Sequence, residues 1–526
     1  MSQAHAATER PAATDLWKAA RSYFDSIISQ LQSPPTQTMS HSEVENLIGT
    51  EGRELQRLLY QAHLDQRAPG KVDRPVIDAQ GVEQTHQRSQ TRGLKTLFGT
   101  VRVRRTGYGG RGRASLHPLD AQLNLPPESY SHPVRRCVAE TTASQAYEQV
   151  MERVSRLTGE TMPVRQCEEL VKRAAQDFEA FYEQQPTARA AEVRASGRIL
   201  VLTSDGKGIV MRPEELSETT RAEAERCRLH LGLGLRTRGV KAGTKKMSTV
   251  AAVYTIEPYL RTAEQIVSEL KPVRETQPKR PRPEDKRVWA SLERPMEEVI
   301  EEAFEEARRR DPRGRKKWVA LVDGNETQLS LMHCAAKEYH PQLVIILDLI
   351  HVLEYVWKAA RDHFQEGDRQ AAGWVGERLL EILRGRSSLV AAGIRRSATL
   401  RGLEAEQRVG IDKCADYLLK YREYLRYDQY LAEGYPIASG VIEGACRHLI
   451  RDRMELTGAR WSVRGAEAVL RLRALKSSGD FDAYWGFHLK QEYQRHHASR
   501  YADRKAPVPN EPREKAVNTG RLKLVS

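Results

Sequence analysis

Read by its apolar and polar positions, the chain carries three short hydrophobic runs that each end in an aspartate. Arg198-Ile-Leu-Val-Leu-Thr-Ser204 leads to Asp205-Gly206, Trp318-Val-Ala-Leu-Val322 to Asp323-Gly324, and Leu343-Val-Ile-Ile-Leu347 to Asp348. Such runs, rich in β-branched residues and closed by a turn residue, read as buried strands. Met247 to Ile256 reads as a further strand and Arg287 to Leu292 as another. Met296 to Arg310 is a helix, acidic early and arginine-rich late, as the helix macrodipole favours. A second helix is expected over about 326–338. The resulting order is strand, strand, strand, helix, strand, helix, strand.

The flanking sequence is mainly helical. Residues 1 to about 40 are polar, broken by Ser33-Pro-Pro35, and read as a short helix plus linker. Ser42-Glu-Val-Glu45 has capping-box spacing ahead of Leu55, Leu58, Leu59 and Ala62. Val101-Arg-Val-Arg-Arg105 alternates as a hairpin strand with one basic face, and the Gly- and Arg-rich 107–112 stretch reads as a turn. Ser144 to Leu157 is amphipathic, breaks at Thr158-Gly-Glu160 and resumes from Pro163 to Tyr182. That pair fits a helix-turn-helix, with Arg165 and Gln166 near the start of the groove-entering helix, or an ordinary helical hairpin. Residues 213–246 read as a charged loop or short helix, and 258–286 as a linker centred on Pro278-Lys-Arg-Pro-Arg-Pro283. From His351 to about Tyr435 the pattern is helical without strands. Ile437 to Met454 supplies a closing helix with Ile442, Ala445, Cys446 and Leu449 as its buried stripe. The Lys-, Arg- and Pro-rich tail is expected to be disordered.

The strand and helix order is that of a ribonuclease-H-like mixed sheet, an α/β core interrupted by an all-helical insertion and preceded by a helical DNA-binding region. The expected domains are a helical region and linker at 1–90, and a hairpin plus helix-turn-helix-like region at 91–190. The first part of the core follows at 191–351, then the insertion at 352–436. The closing helix and C-terminal helices occupy 437–501, and the basic tail 502–526.

Charge narrows the partner. Lys plus Arg number 84 against 70 Asp plus Glu, a net +14 over 526 residues, which favours a polyanion, nucleic acid ahead of a membrane surface. The six cysteines are dispersed without a C-x-x-C pair, so neither zinc ribbon nor disulfide framework is indicated. There is no secretory apolar region and no run of membrane-spanning length. A soluble protein of the cytoplasm is expected.

A carboxylate at the end of a buried strand costs free energy unless a positive charge meets it. A divalent cation answers several at once. Two such ions, about 4 Å apart, serve phosphoryl transfer. Asp205 is expected to bridge two Mg²⁺ (or Mn²⁺) ions, with Asp323 completing one site and Glu443, on the closing helix, the other. Each signal has a plainer explanation: Asp-Gly is a common turn pair, and Glu443 with Arg447 four residues on suits a surface ion pair. Asp348 and His351 form Asp-x-x-His at a strand-to-helix junction. Either they adjoin the site, Asp348 rivalling Asp323 as ligand, or Asp348 is a helix cap beside a first-turn histidine. Lys207, Arg447, His448, Arg451 and Arg453 crowd the same stretches and suit a phosphate-rich substrate. A glycosidase would line its cleft with aromatics, which are only 6% of this chain.

These motifs resemble those of the ISKra-type bacterial insertion-sequence transposases, within the DDE transposase superfamily. The similarity is carried by Ser204-Asp-Gly-Lys-Gly208 with Met211-Arg-Pro213, Lys286-Arg-Val-Trp-Ala-Ser291, Val322-Asp-Gly-Asn325 and Leu347-Asp-Leu-Ile-His-Val-Leu-Glu-Tyr355. It continues through Gly440-Val-Ile-Glu-Gly-Ala-Cys-Arg-His448 and Thr457-Gly-Ala-Arg-Trp461. It spans roughly residues 90 to 500. The resemblance implies DNA cleavage at element ends, joining of the 3′-hydroxyls to target DNA, and Asp205, Asp323 and Glu443 as the triad. Asp348 and His351 match the Asp-x-x-His element of Mutator-like relatives. Partners would be the terminal inverted repeats, target DNA and further copies of the chain, in the bacterial nucleoid. The rival readings are a non-catalytic DNA-binding protein and a metal-dependent nuclease that cuts without joining.

Overall fold

Among the described residues, seven strands and a larger set of helices build two units, Met1–Asp177 with Ala483–Ser526, and Phe178–Asp482. The computed structural model describes residues 16–67, 69–184, 197–222, 225, 244–269, 280–365, 367–456 and 458–510. The expectations for residues 1–15, for most of the 213–246 loop, for residues 270–279 of the 258–286 linker and for the tail beyond 510 fall outside these. No helix among the described residues is long and apolar enough to cross a membrane.

In the Phe178–Asp482 unit, β3 (Ile199–Val210), β4 (Lys245–Ile256), β5 (Glu284–Ser291), β6 (Lys317–Val322) and β7 (Val344–Leu347) form one mixed sheet in the order β5-β4-β3-β6-β7. β3 and β5 run antiparallel to β4, whereas β6 and β7 lie parallel to β3. Consecutive residues of β3 from Ile199 to Ser204 are all buried. Successive side chains of a strand point to opposite faces, so both faces of the sheet centre are covered. One cover is the helix Met296–Arg310, whose buried stripe is Val299, Ile300, Ala303, Phe304 and Ala307. It packs on β4 and β3, and the helix Val463–Ser478 packs on β5. An unexpected short helix, Ala263–Glu269, occupies part of the supposed linker before β5.

Between β7 and the closing segment come the helices Leu349–His363, Arg369–Leu383, Ser387–Leu400, Val409–Lys420 and Tyr427–Ala432, with no strand among the described residues. The closing helix begins later than its apolar pattern suggests. Ile437 to Ser439 is extended or turn, because Ser439 is bonded to Asp348, and the helix runs Gly440–Ala445. It then widens into a π-helical stretch, Cys446–Arg451, before one last turn, Asp452–Met454.

The other unit is built on a hairpin of β1 (His86–Thr96) and β2 (Gly99–Gly109), in register from Thr96↔Gly99 to His86↔Gly109. The loop Leu97-Phe98 runs into Gly99, the first residue of β2, at φ 114°, a backbone conformation that favours glycine. The helix His41–Gln66 packs on β2. Its capping box is Ser40 with Glu43, two residues earlier than the Ser42–Glu45 reading. Three helices, His132–Thr142, Tyr147–Thr158 and Val164–Ala174, pack on one another. Gly159 ends the second at φ 73°, and Arg165 and Gln166 lie exposed in the first turn of the third. Arg135, fully buried, joins Glu492 at 2.7 Å and Glu128 at 2.9 Å, tying the C-terminal helix Phe481–His496 into this unit. Residues 502–510, which the composition assigned to a disordered tail, are placed. Ala502 and Asn510 donate backbone hydrogen bonds to Ile77 and Lys71, which satisfies polar groups that would otherwise face water.

Candidate functional site

The parallel pairing of β3 with β6 fixes where two of the aspartates lie. Its last paired residues are Thr203 and Leu321. Asp205 and Asp323 stand two residues beyond each, so they follow the paired ends of the two neighbouring strands at the same level. The strand does not stop at Asp205, as the Asp-Gly dipeptide suggested. β3 continues to Val210, because β4 keeps pairing with it, Asp205 opposite Val250 and Gly206 opposite Thr249. β6 does stop, at Val322, and Gly324 turns the chain with φ 93°.

Each carboxylate is partly engaged. Asp205 Oδ1 accepts from its neighbour's amide, Gly206, at 2.6 Å, and Oδ2 accepts from the Cys446 thiol at 3.2 Å. Burial, and then the Asp205 charge, push the Cys446 thiol well above its ordinary range, so sulfur is the donor in this contact. Asp323 Oδ1 accepts from the Asn325 amide at 2.8 Å. Asn325 caps the helix Glu326–Tyr339, and the buried Gln328 amide of that helix donates to both the backbone and the hydroxyl oxygen of Ser204, each at 2.6 Å. The segment after Asp323 is thereby fastened to the residue before Asp205.

Glu443 is exposed on the short helix Gly440–Ala445, which packs on β3 and β4. It lies three residues before Cys446, on the same side of the helix. The Cys446 thiol senses Asp205, Lys207 and Glu443 together. Thus one cysteine connects the helix bearing Glu443 to the strand bearing Asp205. Glu443 does not pair with Arg447: Arg447 and His448 both turn to Asp452, at 3.6 and 3.0 Å.

Asp348 is 2% exposed and its oxygens are fully used. Oδ1 accepts from the Ile350 amide, capping its own helix, and Oδ2 accepts from the Ser439 amide at 3.1 Å and from the Ser439 hydroxyl. It therefore holds the start of the Glu443 helix to the end of β7. His351 is half-buried, and its Nδ1 has no hydrogen-bond partner among the described residues.

The helical insertion reaches the strand ends through tyrosines that the sequence pattern did not single out. Tyr417 donates to the Asp323 carbonyl at 3.1 Å, Tyr421 to the Gly324 carbonyl at 2.6 Å, and Tyr427 to the Leu347 carbonyl at 2.7 Å. Tyr355 stacks on Tyr417 with ring centroids 3.9 Å apart.

The basic residues divide. Arg447, His448 and Arg451 are exposed and Lys207 is half-buried beside Asp205. Arg453 corrects the expectation of a surface arginine. It is 2% exposed, its guanidinium over the Trp461 ring at 4.8 Å, so it packs rather than meeting a ligand. Arg473 is likewise buried, donating to the Leu449 carbonyl.

Among the described residues, no group of three or more His, Cys, Asp or Glu is drawn closely enough together to hold a metal ion as it stands. The donor types are nonetheless hard oxygens suited to magnesium or manganese. No protein-family model matches the chain, and no curated protein matches it.

Proposed function

We propose that this protein is a DNA transposase of a bacterial insertion sequence, cleaving strands at the element ends and joining them to target DNA. The observation that carries the reading is the placement of Asp205 and Asp323 at one level on adjacent parallel strands, with Glu443 on a helix joined to Asp205 by Cys446. The sheet order, three antiparallel strands followed by two parallel ones, supports a ribonuclease-H-like core. The helical segment between β7 and the Glu443 helix supports an insertion before the third carboxylate.

In this reading Asp205, Asp323 and Glu443 would hold two Mg²⁺ or Mn²⁺ ions, which when bound polarise the attacking and leaving oxygens. The chain's own groups do the remainder. Cys446 and the Gly206 amide fix the Asp205 carboxylate, and Asn325 fixes that of Asp323. Lys207, beside Asp205, and the exposed Arg447 would offer positive charge to the scissile phosphate. Water or a 3′-hydroxyl attacks phosphorus, its proton passes to solvent, and the bond from phosphorus to the leaving 3′-oxygen breaks. The three-helix region with Arg165 and Gln166 would read the terminal inverted repeats. At least two copies would hold two ends together, in the bacterial cytoplasm at the nucleoid.

The test is cleavage and joining of a labelled duplex taken from the ends of the DNA that encodes the chain, with Mg²⁺ or Mn²⁺. Cleavage followed by joining, both abolished in Asp205→Ala, supports the proposal. Cleavage without joining makes the protein a nuclease, and binding without either sinks the catalytic reading.

A further inference from the structure

Within the unit formed by the hairpin and the C-terminal segment lies a cavity of about 400 Å³ whose walls carry more positive than negative charge. Arg92 of β1 and Arg105 of β2 enter from the hairpin, and Arg500 enters from the C-terminal end. The facing acid is Asp120, bonded to Arg105 and 3.8 Å from Arg92. Asp120 cannot neutralise three guanidiniums. Arg92 spends its hydrogen bonds on the carbonyls of Pro126 and Glu128, which carry no formal charge. Arg500 donates to the Ser115 carbonyl at 2.9 Å and has no ion pair among the described residues. The buried Nε of Arg105 has no partner among them either. A fourth arginine at the rim, Arg495, is already neutralised by Asp177 and Glu492.

The Glu128 carboxylate also acts on Arg92 but is paired with Arg135 and Arg173, so positive charge stays in excess in this half-enclosed space, which is costly unless an anion enters. Surrounding groups register that excess: burial, and then the charges of Arg105, Arg500 and Arg92, push His117 down to about 4. Its ring is held in place by Gln90 at 2.8 Å, and Gly107 leaves room for it, since a Cβ there would come within 2.9 Å of the imidazole. A neutral imidazole and the Tyr501 ring complete the walls. The volume falls in the range of small-ligand pockets and exceeds what a lone inorganic anion fills. Guanidinium forks are the side chains best matched to phosphate oxygens.

We propose that this cavity binds a phosphate-bearing ligand about the size of one nucleotide, held by Arg92, Arg105 and Arg500. The phosphate belongs either to a free nucleotide or to a DNA strand. The site lies in the unit that does not contain Asp205, so it goes beyond the proposed strand-transfer chemistry and stands without it.

The test is calorimetric titration of the full chain with inorganic phosphate, a deoxynucleoside 5′-monophosphate and a short DNA duplex, each against sodium chloride at equal ionic strength. Arg500→Gln is the principal variant, because Arg92 and Arg105 also support buried Asp120 and their loss would disturb folding. Arg500→Lys is the control that keeps the charge. The expected result is saturable binding that weakens about tenfold in Arg500→Gln and recovers in part in Arg500→Lys. Binding of the mononucleotide with those effects assigns a free nucleotide; the same effects with duplex alone assign a DNA phosphate. Absence of saturable binding by all three, or equal affinity in wild type and Arg500→Gln, overturns the proposal. Asp205→Ala should bind as wild type does, which separates failure here from failure of the strand-transfer reading.

Discussion

The Cys446 thiol donates a hydrogen bond to Asp205 Oδ2 at 3.2 Å, joining two residues 241 positions apart. It links the strand of the first carboxylate to the helical segment of the last and, with the Gly206 amide, orients the Asp205 carboxylate. In Cys446→Ala that carboxylate loses a donor, and cleavage should slow about tenfold with DNA binding unchanged. Cys446→Ser restores a donor and should recover most of the rate. Single-turnover cleavage of the end duplex measures both; equal rates in Ala and wild type would remove Cys446 from the site.

The three proposed ligands and Asp348 should separate by what they damage. Asp205→Ala, Asp323→Ala and Glu443→Ala are expected to lower cleavage by roughly a thousandfold or more while melting near the wild-type temperature. Asp348→Ala leaves the buried Ser439 donors without an acceptor and removes the cap on the Ile350 amide, and should destabilise the unit by about 3 kcal/mol. Thermal unfolding followed by circular dichroism checks this. A stable but inactive Asp348→Ala would make Asp348 a ligand in place of Asp323.

Removing the tyrosine hydroxyls tests the insertion's hold on β6. Tyr417→Phe and Tyr421→Phe keep the rings, including the stack on Tyr355, and lose the bonds to the Asp323 and Gly324 carbonyls. Each should cost about 1 kcal/mol of stability. The double variant should need more Mn²⁺ for half-maximal cleavage, read from a metal titration of the rate.

Acid stability rests on a buried cluster behind the sheet. Arg287, 1% exposed, pairs with Glu302 and Glu306 and lies over the rings of Tyr182 and Trp289. Burial alone would raise Glu306, but Arg287, Arg310 and Arg309 outweigh it and hold the carboxyl well below its ordinary 4.5. The folded state therefore binds a proton on Glu306 less readily than the unfolded chain. Its stabilisation is complete above about pH 4.5 and is lost as the pH falls toward the folded value. Glu306→Gln should cost about 3 kcal/mol at neutral pH, by leaving buried arginine charge uncompensated, and should flatten the loss of stability below pH 4.5. Urea unfolding between pH 3 and 7 measures the difference.

Local pattern made the sheet legible. The apolar runs gave all five of its strands in order, and the stripe on Met296–Arg310 marked the helix that covers it. What escaped the sequence depended on partners distant along the chain. Asp205-Gly206 looked like a strand end because a turn and a continuing strand share that dipeptide, and pairing with β4 decides between them. Arg453 looked like its exposed neighbours because charge patterns do not reveal that Trp461 covers it. Cys446 was read as a core residue, correctly as to burial, but its bond to Asp205 is a matter of tertiary placement. Gln328 and Tyr417 gave no signal at all, since a polar side chain aimed at a remote backbone carbonyl leaves no periodicity.

Asp348 has a consequence for the chain that leaves and returns beside it. Its carboxylate grips the first turn of the helix Leu349–His363 and also Ser439, while the Leu349 amide donates to the Ile437 carbonyl at 2.9 Å. The long helical excursion thus departs and lands at one point. Beyond these stitched ends and the tyrosine bonds to the strand ends, the sheet senses the detour's length through loop-closure entropy. That term grows only logarithmically, about 0.6 kcal/mol for each doubling. Extra helices added at the far end, clear of Tyr417 and Tyr421, would leave the spacing between β7 and the Glu443 helix unchanged.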